Sequence, residues 1–155
     1  MVIGLISDTH GLLRAAALHA LAGVDAILHA GDVGGAVVLD GLRTIAPVRA
    51  VAGNTDDPST PGLEAFIDIE ALGLTIHVSH GHELGSPTPA KVLAAYTGDI
   101  LVYGHTHRPL VHREANRLVV NPGAAGPRRF DLRPTLALLT IARGAAAAEI
   151  VDLPY

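Results

Sequence analysis

The chain has 155 residues, of which 49% are hydrophobic, 17% charged and 3% aromatic, and its formal net charge is −4 at pH 7. This length fits a single domain over residues 1–155 with a substantial core, and the apolar composition excludes a disordered protein. The negative charge argues against general electrostatic binding of DNA or RNA, and the absence of cysteine excludes disulfides and thiolate metal ligands.

Strands and helices alternate in the first third of the chain. Short apolar runs indicate buried strands, and the alanine- and leucine-rich segments between them indicate helices. A βαβαβ beginning of this kind implies parallel strands joined by right-handed crossovers. The predicted elements are a strand at 2–7, a helix at 12–22, a strand at 26–30, a helix at 36–45 and a strand at 48–52.

The pattern changes after Pro58. A hairpin over 66–69 and 74–79, a short helix over 89–96 and a buried strand over 100–103 are predicted next. The last apolar segments predict an antiparallel C-terminal sheet, with strands at 110–112, 118–120, 135–141 and 146–153. An α/β fold of two sheets packed face to face, with the helices outside, accommodates both halves.

The N-terminal segment lacks the features of a targeting signal. Met1–Asp8 has no basic start and no cleavage pattern, and it runs directly into a candidate site. No apolar stretch approaches the roughly 18 residues that a transmembrane helix needs. We therefore expect a cytoplasmic protein without a membrane partner.

Side chains that can bind metal ions follow several of the predicted strands directly. Because strand ends in an open α/β sheet meet where such folds bind ligands, we expect these side chains to converge. A glycine adjoins most of them, and it lets the backbone turn sharply or approach a ligand closely. The clusters are Asp8-Thr9-His10, Gly31-Asp32, Gly53-Asn54, His80-Gly81-His82 and Gly104-His105-Thr106-His107.

Several of these residues also have an ordinary structural interpretation when each is taken alone. Asp32 can cap the helix that follows it, and Gly53-Asn54 is a common turn sequence. Asp56 can be a solvated turn carboxylate, and His29 a hydrogen-bonded core histidine. Arg128 belongs to a group that can be either a phosphate-recognition rim or a solvated basic loop, together with Arg108, Arg129 and Arg133.

The ordered set of motifs resembles the calcineurin-like metallophosphoesterase superfamily and, within it, the small bacterial and archaeal phosphodiesterases. The resemblance runs from Val2 to about Gly126 and includes Asn121-Pro122-Gly123, which is similar to a turn of that subfamily. It implies a four-layer αββα sandwich of two mixed β-sheets flanked by helices.

The resemblance also implies two divalent metal ions that share Asp32 as a bridge. One ion would be held by Asp8, His10, Asp32 and His107, and the other by Asp32, Asn54, His80 and His105. The mixture of carboxylate, amide and imidazole groups makes Mn²⁺ the first expectation, with Fe²⁺, Ni²⁺, Co²⁺ and Zn²⁺ as alternatives.

The activity that the resemblance implies is hydrolysis of small phosphodiesters by a hydroxide that bridges the two ions. The expected partner is therefore a small phosphate ester. Candidate substrate contacts are Asn54, His82 and Arg128, and Asp56 is a candidate catalytic acid.

Thr55 departs from the pattern of many phosphatases in the superfamily, which have a histidine after the Gly-Asn pair that assists the leaving group. We therefore expect substrates with acidic leaving groups. Ala124 is a second departure, because the small phosphodiesterases often have serine there. A phosphomonoesterase or protein phosphatase is one alternative function. A non-catalytic, protein-binding scaffold, as in a retromer subunit, is another, but every expected ligand position is occupied. The apolar composition is also compatible with a homodimer.

Overall fold

The computed structural model describes residues 1–129 and 131–154, in which two mixed β-sheets form the body of the molecule. The strands of the larger sheet are β1 (Val2–Ile6), β2 (Ala26–His29), β3 (Val48–Val51), β4 (Leu63–Glu64), β10 (Thr135–Ala142) and β11 (Ala145–Asp152). Their order is β11-β10-β1-β2-β3-β4, in which β1 to β4 are parallel and β10 is antiparallel to both neighbours.

The smaller sheet combines two antiparallel hairpins with a parallel centre. Its strands are β5 (Ile67–Ala71), β6 (Leu74–Val78), β7 (Ile100–Val102), β8 (Leu110–Glu114) and β9 (Arg117–Asn121). The order is β5-β6-β7-β9-β8, and β7 pairs in parallel with both β6 and β9. The carboxyl ends of β6 and β7 therefore lie at one edge of this sheet.

Short helices cover the outer faces of the two sheets. They are α1 (Ala15–Ala20), α2 (Ala36–Arg43) and α3 (Pro89–Ala95), and a single 3₁₀ turn spans His82–Leu84. Side chains of α1 and α2 share an apolar cluster with β1, β2 and β3, whereas Val92 of α3 packs with Leu101 and Val119 of the smaller sheet. None of the helices in residues 1–129 and 131–154 has the length and apolarity needed to cross a bilayer.

The main core lies between the two sheets. Successive residues of a strand point to opposite faces, so Ile3 and Leu5 of β1 pack against the other sheet while Ile6 packs against the helices. The same inter-sheet cluster contains Val78 of β6 and Val102 of β7. The molecule is thus an α/β sandwich of helices, sheet, sheet and helix, which confirms the fold expected from the motifs.

The C-terminal strands do not form the single antiparallel sheet that the sequence pattern predicts. β8 and β9 extend the smaller sheet beside β7, whereas β10 and β11 extend the larger sheet beside β1. β10 is apolar on both faces: Leu136 lies in the cluster under the helices, and Ala137 and Leu139 lie between the sheets. A strand buried on both faces is stable in the middle of a sheet, which explains its place between β1 and β11.

Helix α1 is shorter than the predicted helix over 12–22. The backbone of Arg14 is extended, and its guanidinium Nε donates a hydrogen bond to the Gly126 carbonyl at 3.1 Å. The segment before α1 is a turn closed by the Leu12 N–H and the Thr9 carbonyl. The two-residue strand β4 was not predicted.

Candidate metal centre

Loops at the carboxyl ends of β-strands bring all seven predicted ligands to one place. The parallel arrangement of β1 to β3 and of β6 with β7 determines this convergence, since carboxyl ends of parallel strands face the same edge. Asp8 and His10 follow β1, Asp32 follows β2, Asn54 follows β3, His80 follows β6, and His105 and His107 follow β7.

One end of the cluster consists of Asp8, His10 and His107. The Oδ1 atom of Asp8 lies 3.3 Å from Nε2 of His107 and 3.8 Å from Nε2 of His10. The two histidine Nε2 atoms are 3.4 Å apart. These three side chains present one ligand atom each within the span of a single ion.

The other end is centred on His80. Its Nε2 atom lies 3.3 Å from Oδ2 of Asp32 and 3.0 Å from Oδ1 of Asn54. The same Asn54 oxygen is 3.1 Å from Nδ1 of His105. Carboxylate, amide and imidazole groups therefore meet here as well.

Two carboxylates lie between the two ends. Oδ2 of Asp32 is 3.8 Å from Nε2 of His10 and 3.3 Å from Nε2 of His80. Oδ1 of Asp8 is also within 3.9 Å of Nε2 of His80. Asp32 is thus located where the motif resemblance requires a bridging ligand, and Asp8 is almost as central.

The hydrogen bonds around the cluster leave some of the candidate ligand atoms unpaired. Oδ2 of Asp8 accepts from Ser7 Oγ at 2.6 Å and from the His105 N–H at 3.2 Å, but its buried Oδ1 has no hydrogen-bond partner among the described residues. Nδ1 of His80 lies 2.7 Å from the Ala30 carbonyl, so it carries a proton, and Nε2 is the atom that faces the carboxylates. A divalent cation satisfies these atoms, and the donor set suits a hard or borderline metal ion.

The electrostatic environment favours metal-binding protonation states. Burial lowers the pKa of His10 and of His105, so both imidazoles are neutral at neutral pH. Burial acts to raise the pKa of Asp8, but the nearby imidazoles of His107 and His80 lower it overall.

Asp32 and His80 shift each other's pKa in opposite directions. Burial opposes ionisation of Asp32, yet hydrogen bonds from His80 and the Thr55 N–H hold its pKa below the ordinary value. The pKa of His80 is raised, because the pairing with Asp32 outweighs the opposite effect of burial. The carboxylate of Asp32 is therefore already in the form that a cation binds, whereas a cation bound to Nε2 of His80 would displace the proton of that nitrogen.

The backbone at the ligands adopts a conformation that L-residues rarely use. Positive φ places a non-glycine residue in the left-handed region, which costs energy and is concentrated at functional sites. Five of the seven predicted ligands have a positive φ: Asp8 (53°), His10 (46°), Asp32 (53°), His105 (69°) and His107 (61°). The other non-glycine residues with positive φ in the described part of the chain are Leu72, Ala115 and Arg143, which lie in hairpin turns.

Two glycines permit the close packing of the ligand loops. A Cβ atom on Gly53 would lie 2.1 Å from Oδ1 of Asp32. A Cβ atom on Gly104 would lie 2.2 Å from Oγ of Ser7 and 2.8 Å from Oδ2 of Asp8. Any side chain at these positions would displace a carboxylate of the cluster.

Asp56 lies beside the ligand cluster and holds two of its loops together. Its carboxylate accepts hydrogen bonds from the N–H groups of Val33 (3.0 Å), Gly34 (3.0 Å) and Gly53 (2.9 Å). These contacts tie the loop that carries Asp32 to the loop that carries Asn54. The carboxylate is therefore engaged by the backbone, which differs from a solvated turn residue.

Asn121 is buried next to the cluster and holds one of its loops in place. Nδ2 of Asn121 donates to the Gly104 carbonyl at 3.1 Å and to Oγ1 of Thr106 at 3.0 Å, which fixes the loop of His105 and His107. The motif resemblance included Asn121, but the role of its side chain was not predicted.

The buried His29 joins two ligand loops. Its Nε2 lies 2.9 Å from Oγ1 of Thr9, and its Nδ1 accepts from the Gly31 N–H at 3.2 Å. Burial lowers its pKa to about 4, so the ring is neutral. It is a hydrogen-bonded core histidine that positions the segments of Asp8 and Asp32.

The remaining candidates lie around the cluster. The ring of His82 is 5.4 Å from that of His80, and its side chain is 39% exposed, so it can reach a substrate. Arg128 and Arg129 border His107 on the opposite side. The positive charge of Arg129 also acts on His10. A basic rim therefore adjoins the His10–His107 end of the site.

The fold and the clustered ligands define a metal-binding α/β protein with an open site at the strand ends. The chain belongs to the calcineurin-like phosphoesterase superfamily, whose family model matches residues 1–144. Asp8, His10, Asp32 and His80 are among the candidate ligands of this metal-dependent family. The membership inferred from the motifs is thereby confirmed.

Relatives and solved structures agree with this assignment. The chain is 35% identical to a probable metallophosphoesterase of Methanothermobacter thermautotrophicus, over 97% of this chain and 92% of that protein. It is 30% identical to phosphodiesterase YfcE of Escherichia coli, over 80% and 79% of the two chains. The crystal structure of Vps29 from Entamoeba histolytica with Zn²⁺ is similar, with a TM-score of 0.77, 28% identity and coverage of 98% and 99%.

Proposed function

We propose that this protein is a phosphodiesterase that hydrolyses small phosphodiesters at a centre of two divalent metal ions. The observation that carries the proposal is the buried, partnerless Oδ1 of Asp8 at the junction of two groups of histidines. Relatives named as phosphodiesterases, at about 30% identity, support the substrate class.

The two ends of the cluster correspond to the two proposed ions, of which Mn²⁺ is the expected native species. When bound, such ions supply Lewis acidity and lower the pKa of a nucleophilic water. Asp32 is the proposed bridge, because its Oδ2 lies within 3.8 Å of Nε2 in both His10 and His80. In this proposal Asp8, His10, Asp32 and His107 hold one ion, and Asp32, Asn54, His80 and His105 hold the other.

The residues around the cluster determine which esters react. Arg128 and the neighbouring Arg129 provide positive charge beside His107 for a nonbridging phosphate oxygen. Thr55 is exposed, and its backbone N–H donates to Oδ1 of Asp32 at 2.9 Å. Since threonine does not donate a proton to a leaving group as an imidazolium does, substrates with acidic leaving groups are favoured. His82 is the proposed substrate contact on the other side of the site.

A cytoplasmic location and a homodimeric state remain predictions.

The direct test is metal-stripped protein reconstituted with single divalent ions and assayed on bis(p-nitrophenyl) phosphate and p-nitrophenyl phosphate. Turnover of the diester should exceed that of the monoester. Asp32→Ala should abolish both metal binding and turnover. Asp40→Ala is the matched control, because this aspartate is 70% exposed on helix α2. Absence of turnover with every ion would overturn the enzymatic proposal.

A protein-binding scaffold on the same fold is a second candidate, favoured by the structural similarity to Vps29. The same experiment separates the two functions. A scaffold would bind the metal ions with unchanged stoichiometry but would hydrolyse neither ester.

A further inference from the structure

A cleft of about 710 Å³ opens directly beside the candidate metal centre. Asn54 and His82 form the boundary between the two, since Asn54 contacts both His80 and His105 on its other side. A group attached to a phosphate at the cluster would therefore extend into this cleft.

Aromatic rings form one wall of the cleft. The chain has only two phenylalanines, three tyrosines and no tryptophan, yet Phe66 and Tyr96 both line this space. The ring of His77 lies between them, stacked at 4.3 Å from Tyr96 and 6.0 Å from Phe66. Phe66 is 57% exposed, which is unusual for so large an apolar side chain and leaves much of its ring free for stacking.

Two buried polar groups of the same wall lack partners. Ser79 is 3% exposed and His77 is 7% exposed, and both line the cleft. Oγ of Ser79 and Nε2 of His77 have no hydrogen-bond partner among residues 1–129 and 131–154. Nδ1 of His77 lies 2.7 Å from Oδ1 of Asp68, which helps to hold the His77 ring between Phe66 and Tyr96. These buried groups form the base of the wall, and the exposed ring of Phe66 is the surface that a ligand contacts.

The charge of the cleft excludes a second phosphate. The described residues that line it include Asp56 and Glu83 but neither lysine nor arginine. Glu83 is held in place by the Tyr96 hydroxyl, which donates to its carboxylate. The basic residues of the site lie on the opposite side, next to His107. The substituent in the cleft must therefore carry no negative charge.

We propose that this cleft binds one organic group of the diester and selects a flat, uncharged ring, either an aryl group or a nucleobase. This inference rests on the proposed phosphodiesterase function. The ring stacks on the exposed face of Phe66, beside Tyr96 and above the buried His77. A polynucleotide is not selected, because its next phosphate would meet the acidic side of the cleft.

The test uses diesters that share a trifluoroethyl group and carry methyl, phenyl, thymidinyl or choline as the second group. Their consumption by Mn²⁺-loaded protein is followed by phosphorus NMR. Phe66→Ala should lower kcat/KM about tenfold for the phenyl and thymidinyl esters and less than about twofold for the methyl and choline esters. Comparing each ester between variant and parent cancels the difference in intrinsic reactivity.

Val111→Ala is the matched control. This residue is also an exposed apolar side chain, 42% accessible, but it lies on β8 at the opposite edge of the smaller sheet from β5. The variant should leave all four esters unchanged. The losses in Phe66→Ala also distinguish the two kinds of ring: a greater loss of kcat/KM for the thymidinyl ester identifies a nucleobase, and equal losses for both ring esters identify a simple aryl group.

Two results would overturn the inference. One is an equal loss of kcat/KM for all four esters in Phe66→Ala, and the other is a loss of kcat/KM that is greatest for the choline ester. Failure of the proposed function would show separately, as absence of turnover of bis(p-nitrophenyl) phosphate by the parent protein. In that case saturation-transfer NMR still detects whether phenyl methyl phosphate binds in the cleft. The ring protons should receive saturation from metal-free parent protein and lose it with Phe66→Ala, and no transfer from the parent would contradict the inference.

Discussion

Asp8 is the residue whose environment most requires a cation. It is fully buried, and its Oδ1 faces only the imidazole nitrogens of other candidate ligands. These imidazoles lower the pKa of Asp8 and so balance part of its buried charge, and a bound cation balances that charge more fully. The stability of the protein should therefore depend on metal through this one carboxylate.

Asp8→Asn tests this dependence. The amide keeps the size of the side chain and removes the charge that His107 and His80 stabilise, so the metal-free variant should be less stable than the parent by about 1 kcal/mol. The gain in stability on adding Mn²⁺ should largely disappear. Thermal and denaturant unfolding with EDTA and with excess Mn²⁺ provide the comparison. A variant that loses equal stability under both conditions would show that Asp8 is only a structural hydrogen-bond acceptor.

His29 gives the folded state a specific dependence on pH. Its pKa is about 4 in the folded protein and 6.5 ordinarily, so between these values only the unfolded chain binds the proton. The contribution of His29 to the free energy of unfolding is complete above pH 6.5 and is lost as the pH falls towards 4.

His29→Gln removes the titrating group and keeps a donor for Thr9. Between pH 7 and pH 5 the metal-free parent should lose about 2 kcal/mol more stability than this variant. Urea unfolding in EDTA at the two pH values gives the difference, and the ligand histidines cancel because both proteins contain them. Parallel losses in both proteins would contradict a neutral, buried His29.

The site depends on hydrogen bonds between the loops that follow neighbouring strands of the larger sheet. Asp56 is the main link, because its three backbone contacts connect the loop after β2 with the loop after β3. Any role of Asp56 in activity should therefore be indirect, through the positions of Asp32 and Asn54.

Asp56→Asn replaces one acceptor oxygen with an NH₂ group that faces a backbone N–H. We expect a loss of about 1–2 kcal/mol in stability together with weaker metal binding, measured by denaturant unfolding and by metal titration. Excess metal should restore most of the turnover. Unchanged stability and metal affinity with strongly reduced turnover would instead indicate a proton-transfer role for this carboxylate.

The elements also show what the sequence can predict. The strands β1, β2 and β3 and the ligand loops behind them follow from local apolar runs, which need no knowledge of distant residues. The pairing of β10 with β1 joins residues far apart in the chain, such as Val2 and Thr140, and no local pattern specifies it. β4 was missed for another reason, since a two-residue strand has no periodicity.

The same distinction holds for the site. Asp8, Asp32 and His80 were predictable because each one follows a strand in a chain order shared with the superfamily. The supporting contacts of Asp56 and His29 were not predictable, because they join loops that meet only after the sheet has formed. The aromatic cleft beside Phe66 was also not predicted, since its walls come from β6, from the segments that follow β3, β4 and β6, and from Tyr96 just after helix α3.

For the whole molecule, the two sheets together create the site. The larger sheet contributes Asp8, His10, Asp32 and Asn54 through its loops, and the smaller sheet contributes His80, His105 and His107. Each proposed ion therefore takes ligands from both sheets, so metal binding stabilises the packing of one sheet on the other.

Titration of metal-stripped protein with Mn²⁺, followed by the turnover of bis(p-nitrophenyl) phosphate, tests the binuclear phosphodiesterase centre. We expect no turnover without metal and a maximum at two bound ions per chain. Saturation at one ion per chain would contradict the binuclear centre, and absence of turnover with both sites filled would contradict the proposed phosphodiesterase function.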